Sequence, residues 1–433
     1  MTMATPSSYA AESVVRIPTT LILGIVFAAY LSWRPSVDVM FTLSDICLIL
    51  GGLTMLMRRQ VPREPFSVVS PLWYGGFILM LGGLLASSLF SGDPTRWPIV
   101  AVQYSMAWAV LPFLISGHDS FNTHRLARFF LLGVVAMELI GILVYFTFSG
   151  SFMQARTLLG FDFISGSNRL GAFATDANWN GATIAMALPF VFYLHGRGGI
   201  GHWQAAIALA LLIFALILTA SVTAFGTTCL TIILFVIVGD RRLRAAAMMM
   251  LLASFAIVLV LEVSGRGLPA VFQKRVATAL ESGSLAQAGT YEGRMHLIED
   301  AWQRVGDHMW LGVGVDQDRV VSQERAPVHN MYLLLWVEGG FVALLGWLAM
   351  MAAALAIVLA AFYRDRLSGA LGLTVLMSFL VFSAASPHMY ARLWAVPVLL
   401  ALAIAMHAGG GHLRALANWR YRQMARRLAR GQG

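Results

Sequence analysis

Charge is scarce in this chain. Of 433 residues only 12% are Asp, Glu, Lys or Arg, 58% are hydrophobic, and the mean hydropathy is +0.74. A soluble domain carries about a quarter charged residues, so a chain this long cannot cover a globule with polar side chains. That excludes a soluble enzyme, a disordered scaffold and a nucleic-acid-binding module, despite the formal net charge of +9. Cysteine is scarcer still. Cys47 and Cys229 both lie in apolar runs, which excludes a disulfide framework or zinc site and leaves two small buried hydrophobes. Lys274 is the only lysine. There is no Walker-type phosphate loop, no HExxH, no GxSxG and no metal-ligand cluster. One Asp-x-Asp occurs, Asp316-Gln317-Asp318, just after Gly312-Val313-Gly314. It falls on the outer side, where nucleotide sugars are scarce, so we assign it no metal and the chain no cofactor.

Long apolar runs dominate instead. A bilayer-crossing helix needs about 17–25 such residues. Twelve runs qualify: 17–33, 37–57, 71–90, 98–116, 129–148, 178–195, 203–220, 222–239, 245–263, 341–362, 367–386 and 393–407. The first follows a polar N-terminus without a basic stretch or small-residue cleavage site, so it reads as a retained helix. Starting the N-terminus inside puts eighteen of the thirty basic residues on inner loops and in the tail. Of the other twelve, nine lie in two long outer segments, and the short outer loops keep only Arg34, Arg96 and Arg392. This alternation follows the positive-inside rule and puts both termini in the cytoplasm. The fold expected is an all-α integral membrane protein of about 12 transmembrane helices. Residues 1–263 hold nine spans with an outer loop at 149–177, 264–340 form a large outer loop, 341–407 hold three more spans, and 408–433 are a basic tail suited to anionic membrane lipids.

The outer segments concentrate the polar groups. The loop 264–340 carries Arg266, Lys274, Arg275, Arg294, Arg304, Arg319 and Arg325, and helical spacing over 269–280 and 293–308. In the second stretch Met295, Ile298, Ala301, Trp302 and Val305 form an apolar face, with Glu299, Asp300 and Arg304 away from it. Amphipathic helices on the outer membrane surface are expected. Guanidinium binds phosphate oxygens in a fork and stays charged, so an outward arginine cluster suits a diphosphate. The loop ends in Pro327-Val328-His329-Asn330-Met331-Tyr332, then Glu338-Gly339-Gly340. A boundary histidine can be a general base or a packed, hydrogen-bonded residue. Of the acids inside apolar runs, Asp45, Glu138 and Glu338, each reads first as structural, because buried charge must find a partner.

These stretches, in this order, resemble the bacterial O-antigen ligase and polymerase superfamily. Arg169-Leu170-Gly171-Ala172-Phe173 with Asp176-Ala177-Asn178 is similar to the family's segment ahead of a mid-chain span. Gly293-Arg294, Trp302 and Gly312-Val313-Gly314 resemble its large periplasmic loop, and His329-Asn330-Met331-Tyr332-Leu333 with Glu338-Gly339 its histidine motif. The resemblance implies a GT-C-like glycosyltransferase in the bacterial inner membrane, its active site facing the periplasm. It would move a glycan from undecaprenyl diphosphate to a saccharide or lipid-linked acceptor without a metal. His329 would then be the general base. Arg294, Arg169 and Arg325, followed by Arg266 and Arg392, would hold the donor diphosphate, and Asn330, Tyr332 and Glu338 would orient the histidine or the acceptor. In ligases of this family a Ser-Arg pair begins the span after the short outer turn. Here Ser221 is followed by Val222. That departure moves the reading toward an exopolysaccharide or O-antigen polymerase, with a ligase acting on lipid A-core as the alternative. A transporter of lipid-linked saccharide and an envelope scaffold are the readings from other classes.

Overall fold

The computed structural model describes residues 16–32, 34–35, 39–160, 162–238, 269–278 and 291–430, with isolated positions between 244 and 281. Among these the chain is helical, with a backbone bridge from Ile164 to Leu170 and no strand. The helices are α1 (Thr19–Val26), α2 (Leu43–Met57), α3 (Ser70–Ser91), α4 (Trp97–Ser116), α5 (Ser120–Thr147), α6 (Phe152–Leu159), α7 (Ala177–Gly196), α8 (His202–Thr219) and α9 (Val222–Val238). A short helix, Ala270–Phe272, runs into a wide π turn, Gln273–Ala277. Then come α10 (Tyr291–Asp307), α11 (Asp318–Val321), α12 (Met331–Phe362), α13 (Arg366–Ser383) and α14 (Arg392–Arg430).

Seven of these are long and apolar enough to cross a membrane: α3, α4, α5, α8, α12, α13 and the Arg392–Ala415 part of α14. Twelve were expected. The differences are local. The run 17–33 yields only the eight-residue α1, and 37–57 yields the fifteen-residue α2, because its helix begins at a Thr42–Asp45 capping box. The run 178–195 forms the twenty-residue α7, whose Asn180 and Thr183 are buried within the protein. The run 245–263 falls largely outside the described residues. The tenth is longer than its apolar run. Asn330 caps α12 by accepting from the Tyr332 and Leu333 amides at 3.0 and 3.1 Å, and the helix passes Gly340 as a kink with φ 68°.

Two packing devices hold α12 and α4. Along α12, glycine faces glycine on α3: a Cβ at Gly346 would stand 2.3 Å from the Met80 amide nitrogen, and one at Gly76 2.6 Å from the Gly346 carbonyl. Small residues let helix backbones approach where hydrocarbon gives no hydrophobic push between helices. Within α4, Pro112 lacks the N–H that would bond the Trp108 carbonyl. Six residues, Ser105–Val110, widen to a π turn, and Trp73 Nε1 donates to the freed Trp108 carbonyl at 2.8 Å.

Polar contacts sort the connections into two groups, one at each end of the bundle. One end joins Arg197 to Asp365, Arg366 to the Val238 carbonyl (3.1 Å) and Arg414 to Ser67 (2.8 Å). The other joins the Met40 amide to Gln103 (2.7 Å), the Leu31 amide to the Phe173 carbonyl (2.7 Å), and Arg96 Nε to Asp316 (2.8 Å).

Candidate functional site

The second end carries the polar site. After α6 the chain makes a tight turn: the Ser165 amide donates to the Arg169 carbonyl at 3.0 Å, with Asn168 in the left-handed region at φ 55°. The turn docks on the α8–α9 connection, where the Leu170 amide donates to the Leu218 carbonyl at 3.0 Å. Arg169 is thereby buried, its Nε donating to the Thr219 carbonyl at 2.7 Å and its Nη2 to Asn178 Oδ1 at 2.8 Å. The Ser221 hydroxyl donates to the same Asn178 oxygen at 3.1 Å. Asp176 caps α7 by accepting from the Asn178 and Trp179 amides at 2.7 and 3.0 Å.

Three other segments bring charge to this place. Arg275, half-buried in the π turn, has an Nε without a hydrogen-bond partner. Arg294 stands in the first turns of α10. Their charges reach Arg169: burial first, then Arg275, pushes its guanidinium down to about 10, Asp176 opposing and Arg294 adding. Burial and then Arg294 lower Arg275, and burial lowers Arg294 against the pull of Asp176. All three stay cationic at neutral pH. His329 belongs to the same group. Burial, then the Arg294 charge, lower its pKa from 6.5, with the Pro327 carbonyl and Asp176 opposing. Its Nδ1 is buried without a hydrogen-bond partner. Orphaned buried polar atoms are few and cost about 1–3 kcal/mol each. The result is a neutral imidazole facing the Arg294 charge and the Asp176 carboxylate, with Arg294 in turn within electrostatic reach of Arg169 and Arg275.

The loop bearing His329 is fixed from below. Asp318 is fully buried; one oxygen accepts from Arg304 at 2.7 Å and the other from the Val328 amide at 2.7 Å. Arg304 also reaches Asp300 at 2.6 Å. The apolar face of α10, with Ala301 and Val305, packs on Val328, Leu334 and Val337 at the start of α12. The glycine turn clasps the α12 kink: the Val313 amide donates to the Val337 carbonyl at 2.7 Å and Gly314 to Glu338 at 3.0 Å.

The structure thus brings Arg169, Arg294 and His329 together, and several other expectations change. Arg304 was expected away from the apolar face of its helix; it pairs with Asp300 and with the buried Asp318. Arg392 is not free for a donor. It is buried with its Nε on Asp45 and its Nη1 on the Tyr390 carbonyl at 2.8 Å, which also explains how Asp45 is tolerated inside an apolar run. Arg325 is exposed in a left-handed turn. Arg266 lies outside the described residues. Asn330 spends its side chain on capping α12, Tyr332 donates to the Leu380 carbonyl at 3.1 Å, and Glu338 is buried at the clasped kink. Nothing in this geometry has these three orient His329. Glu138 accepts from Asn180 at 3.2 Å. Both aspartates of the Asp-x-Asp pair face cations: Asp316 meets Arg96 and Arg319, and Asp318 meets Arg304. Arg275, Asp176 and Asp318 were not nominated as site residues. Asp176 and Asp318 stood inside quoted motifs, whereas no local pattern set Arg275 apart from the other loop arginines.

No curated protein matches the chain. The stretch from α8 into α12, about a third of the chain, takes in Arg275, Arg294 and His329 and leaves Arg169 outside it. This stretch, residues 207–348, matches the family model Wzy_C, described as O-antigen ligase, which supports the O-antigen ligase and polymerase superfamily for this membrane protein.

Proposed function

We propose that the protein is a glycosyltransferase of the outer face of the bacterial inner membrane, moving a glycan from undecaprenyl diphosphate to a saccharide acceptor. The observation that carries this reading is the neutral His329, its Nδ1 without a partner, facing Arg294, which is itself grouped with Arg169 and Arg275. In the proposed step an acceptor hydroxyl attacks the anomeric carbon and gives its proton to the His329 imidazole. The bond from that carbon to the diphosphate oxygen breaks, and its electron pair leaves with undecaprenyl diphosphate. The arginines stabilise the charge that grows there, which is where preorganised electrostatics contribute most. Arg325 and Arg266 remain candidates for an outer contact with the donor.

The acceptor in our reading is a second lipid-linked glycan, which makes the enzyme a polymerase. One observation favours the ligase reading. Arg169 Nε bonds the Thr219 carbonyl in the very turn that carries Val222, so a guanidinium is present there after all. Purified protein given undecaprenyl-diphosphate-linked oligosaccharide, with and without lipid A-core, separates the two. A ladder of repeats without core identifies a polymerase; a single transfer requiring core identifies a ligase. His329→Ala should lower turnover by about 10²–10⁴-fold, the usual contribution of a general base. Turnover in that variant equal to the parent would overturn the assignment. Activity abolished by EDTA and restored by Mg²⁺ would overturn the role given to the arginines.

A further inference from the structure

A roomy cavity lies at the opposite end of the bundle from His329. It is about 920 Å³, between the first half of α5, the end of α7 and the start of α8, and its surface is mostly apolar. This size is at the upper end of the ~300–1,000 Å³ typical of small-molecule sites. Arg125 and Arg128, one turn apart on α5, both line it and are exposed. Arg125 lies over the Phe129 ring at 5.7 Å, and neither guanidinium faces a carboxylate among the described residues. The third arginine of the wall, Arg197, is already paired with Asp365. Deeper in, the walls are Leu132, Val135, Ile207 and Ala208, with Leu132 and Ile207 each 58% exposed toward the opening.

Depth follows from helix length. α5 has 28 residues, whereas about 20 suffice to cross the hydrocarbon. Exposed Arg125 and Arg128 put its first turns, not its last, at headgroup level, since charge avoids the hydrocarbon, and Leu132 and Val135 lie one to two turns deeper, among acyl chains. Two cations without counter-charges at that level, above an apolar groove open to the side, match an amphiphile with an anionic head. Loop arginines put this end at the cytoplasmic leaflet, where basic pockets between helices take anionic lipid.

We infer that the cavity between α5, α7 and α8 binds one anionic glycerophospholipid, its phosphate on Arg125 and Arg128 and an acyl chain along Leu132 and Ile207. The site is separate from the transfer site and needs no donor.

The test is native mass spectrometry of the full-length protein in detergent, given equal amounts of phosphatidylglycerol and phosphatidylcholine with the same acyl chains. At least a tenfold preference for one bound phosphatidylglycerol is expected. Arg125→Gln/Arg128→Gln should abolish it, and Ile207→Trp, which fills the groove from an exposed position, should lower retention of both lipids. Arg58→Gln/Arg59→Gln, on another loop of the same side, should leave it unchanged. Equal retention of the two lipids, or undiminished preference in the Arg125/Arg128 variant, overturns the proposal. So does displacement of phosphatidylglycerol by an equal amount of undecaprenyl phosphate, which would make the occupant a polyprenyl phosphate. If the double arginine variant does not fold, Ile207→Trp alone decides, since unchanged retention there rules out the groove.

Discussion

The Val328 amide donates to Asp318 at 2.7 Å, one residue before His329, while the other oxygen of Asp318 holds Arg304. The second aspartate of the Asp-x-Asp pair is thus a positioning residue for the candidate base. Asp318→Ala removes both bonds and leaves Arg304 with Asp300 alone. Breaking one partner of a buried pair costs about 3–5 kcal/mol, so a fall in melting temperature is expected. Asp318→Asn keeps an acceptor for the Val328 amide. It should recover more turnover than the alanine variant, with the loss in kcat rather than in KM. Equal kcat in the two variants would mean that the amide bond does not set the histidine.

Because burial and Arg294 lower the His329 pKa from 6.5, the neutral base persists on the acid side of the ordinary histidine range. Turnover should hold as pH falls to 6.5 and decline only when pH passes through the lower folded value. The stability linkage has the same sign. Between the two values the unfolded chain binds the proton and the folded chain does not, so stability is lost as pH falls through that window. Arg294→Gln removes one lowering influence and should move the acid limb of kcat upward, toward 6.5. Arg294→Lys retains the charge and should leave the limb in place while raising the donor KM, because it loses the bidentate fork. An acid limb unmoved by Arg294→Gln would detach the histidine from this arginine.

Arg169 and Arg275 meet in one site but are held differently, and this separates binding from folding. Arg169→Ala leaves the buried Thr219 carbonyl without its donor, at about 1–3 kcal/mol for an unpaired buried acceptor, and strips one of two donors from Asn178 Oδ1, which keeps the Ser221 hydroxyl. Arg275→Ala removes an Nε that bonds nothing. Both variants should lower kcat/KM for the lipid-linked donor, by about 10²-fold if each acts like a lost oxyanion donor. Only the first should melt markedly earlier in a thermal unfolding assay. A normal donor kcat/KM in Arg275→Ala would remove it from the site.

How much of this was legible in the sequence depends on how far each feature reaches along the chain. Apolar runs are local, so the cores of α3, α4, α5, α8, α12, α13 and α14 could be read directly. Their ends could not. Glu338-Gly339-Gly340 looks like a break, yet α12 absorbs Gly340 as a kink, because the Gly312–Gly314 turn bonds the Val337 and Glu338 carbonyls there. Arg169, Arg294 and His329 stood out through short motifs. Arg275 comes within electrostatic reach of Arg169 and Arg294 only through the fold, from a segment separate from either in sequence. The pairing of Arg392 was hidden for the same reason, its partner Asp45 being 347 positions away.

That Arg392–Asp45 pair gives the last prediction. Both side chains are almost wholly buried, and Asp45 also accepts from the Thr42 amide at 2.9 Å and hydroxyl at 3.0 Å at the start of α2. The pair ties α2 to α14 at the same end of the bundle as His329, but through different segments from the arginine cluster. Removing Asp45 leaves a buried guanidinium without its counter-charge, and removing Arg392 leaves a buried carboxylate. Either single change should lower stability by about 3–5 kcal/mol. The double change to Asp45→Asn/Arg392→Gln, which leaves no buried net charge, should recover part of that loss. Because the two side chains are spent on each other, KM for the lipid-linked glycan should stay at the parent value in whatever fraction folds. Thermal unfolding of the four proteins in one detergent measures the coupling, and steady-state kinetics on the folded fraction measure the rest. A raised donor KM in Arg392→Gln, with melting unchanged, would return Arg392 to the diphosphate site and make Asp45 its positioning partner.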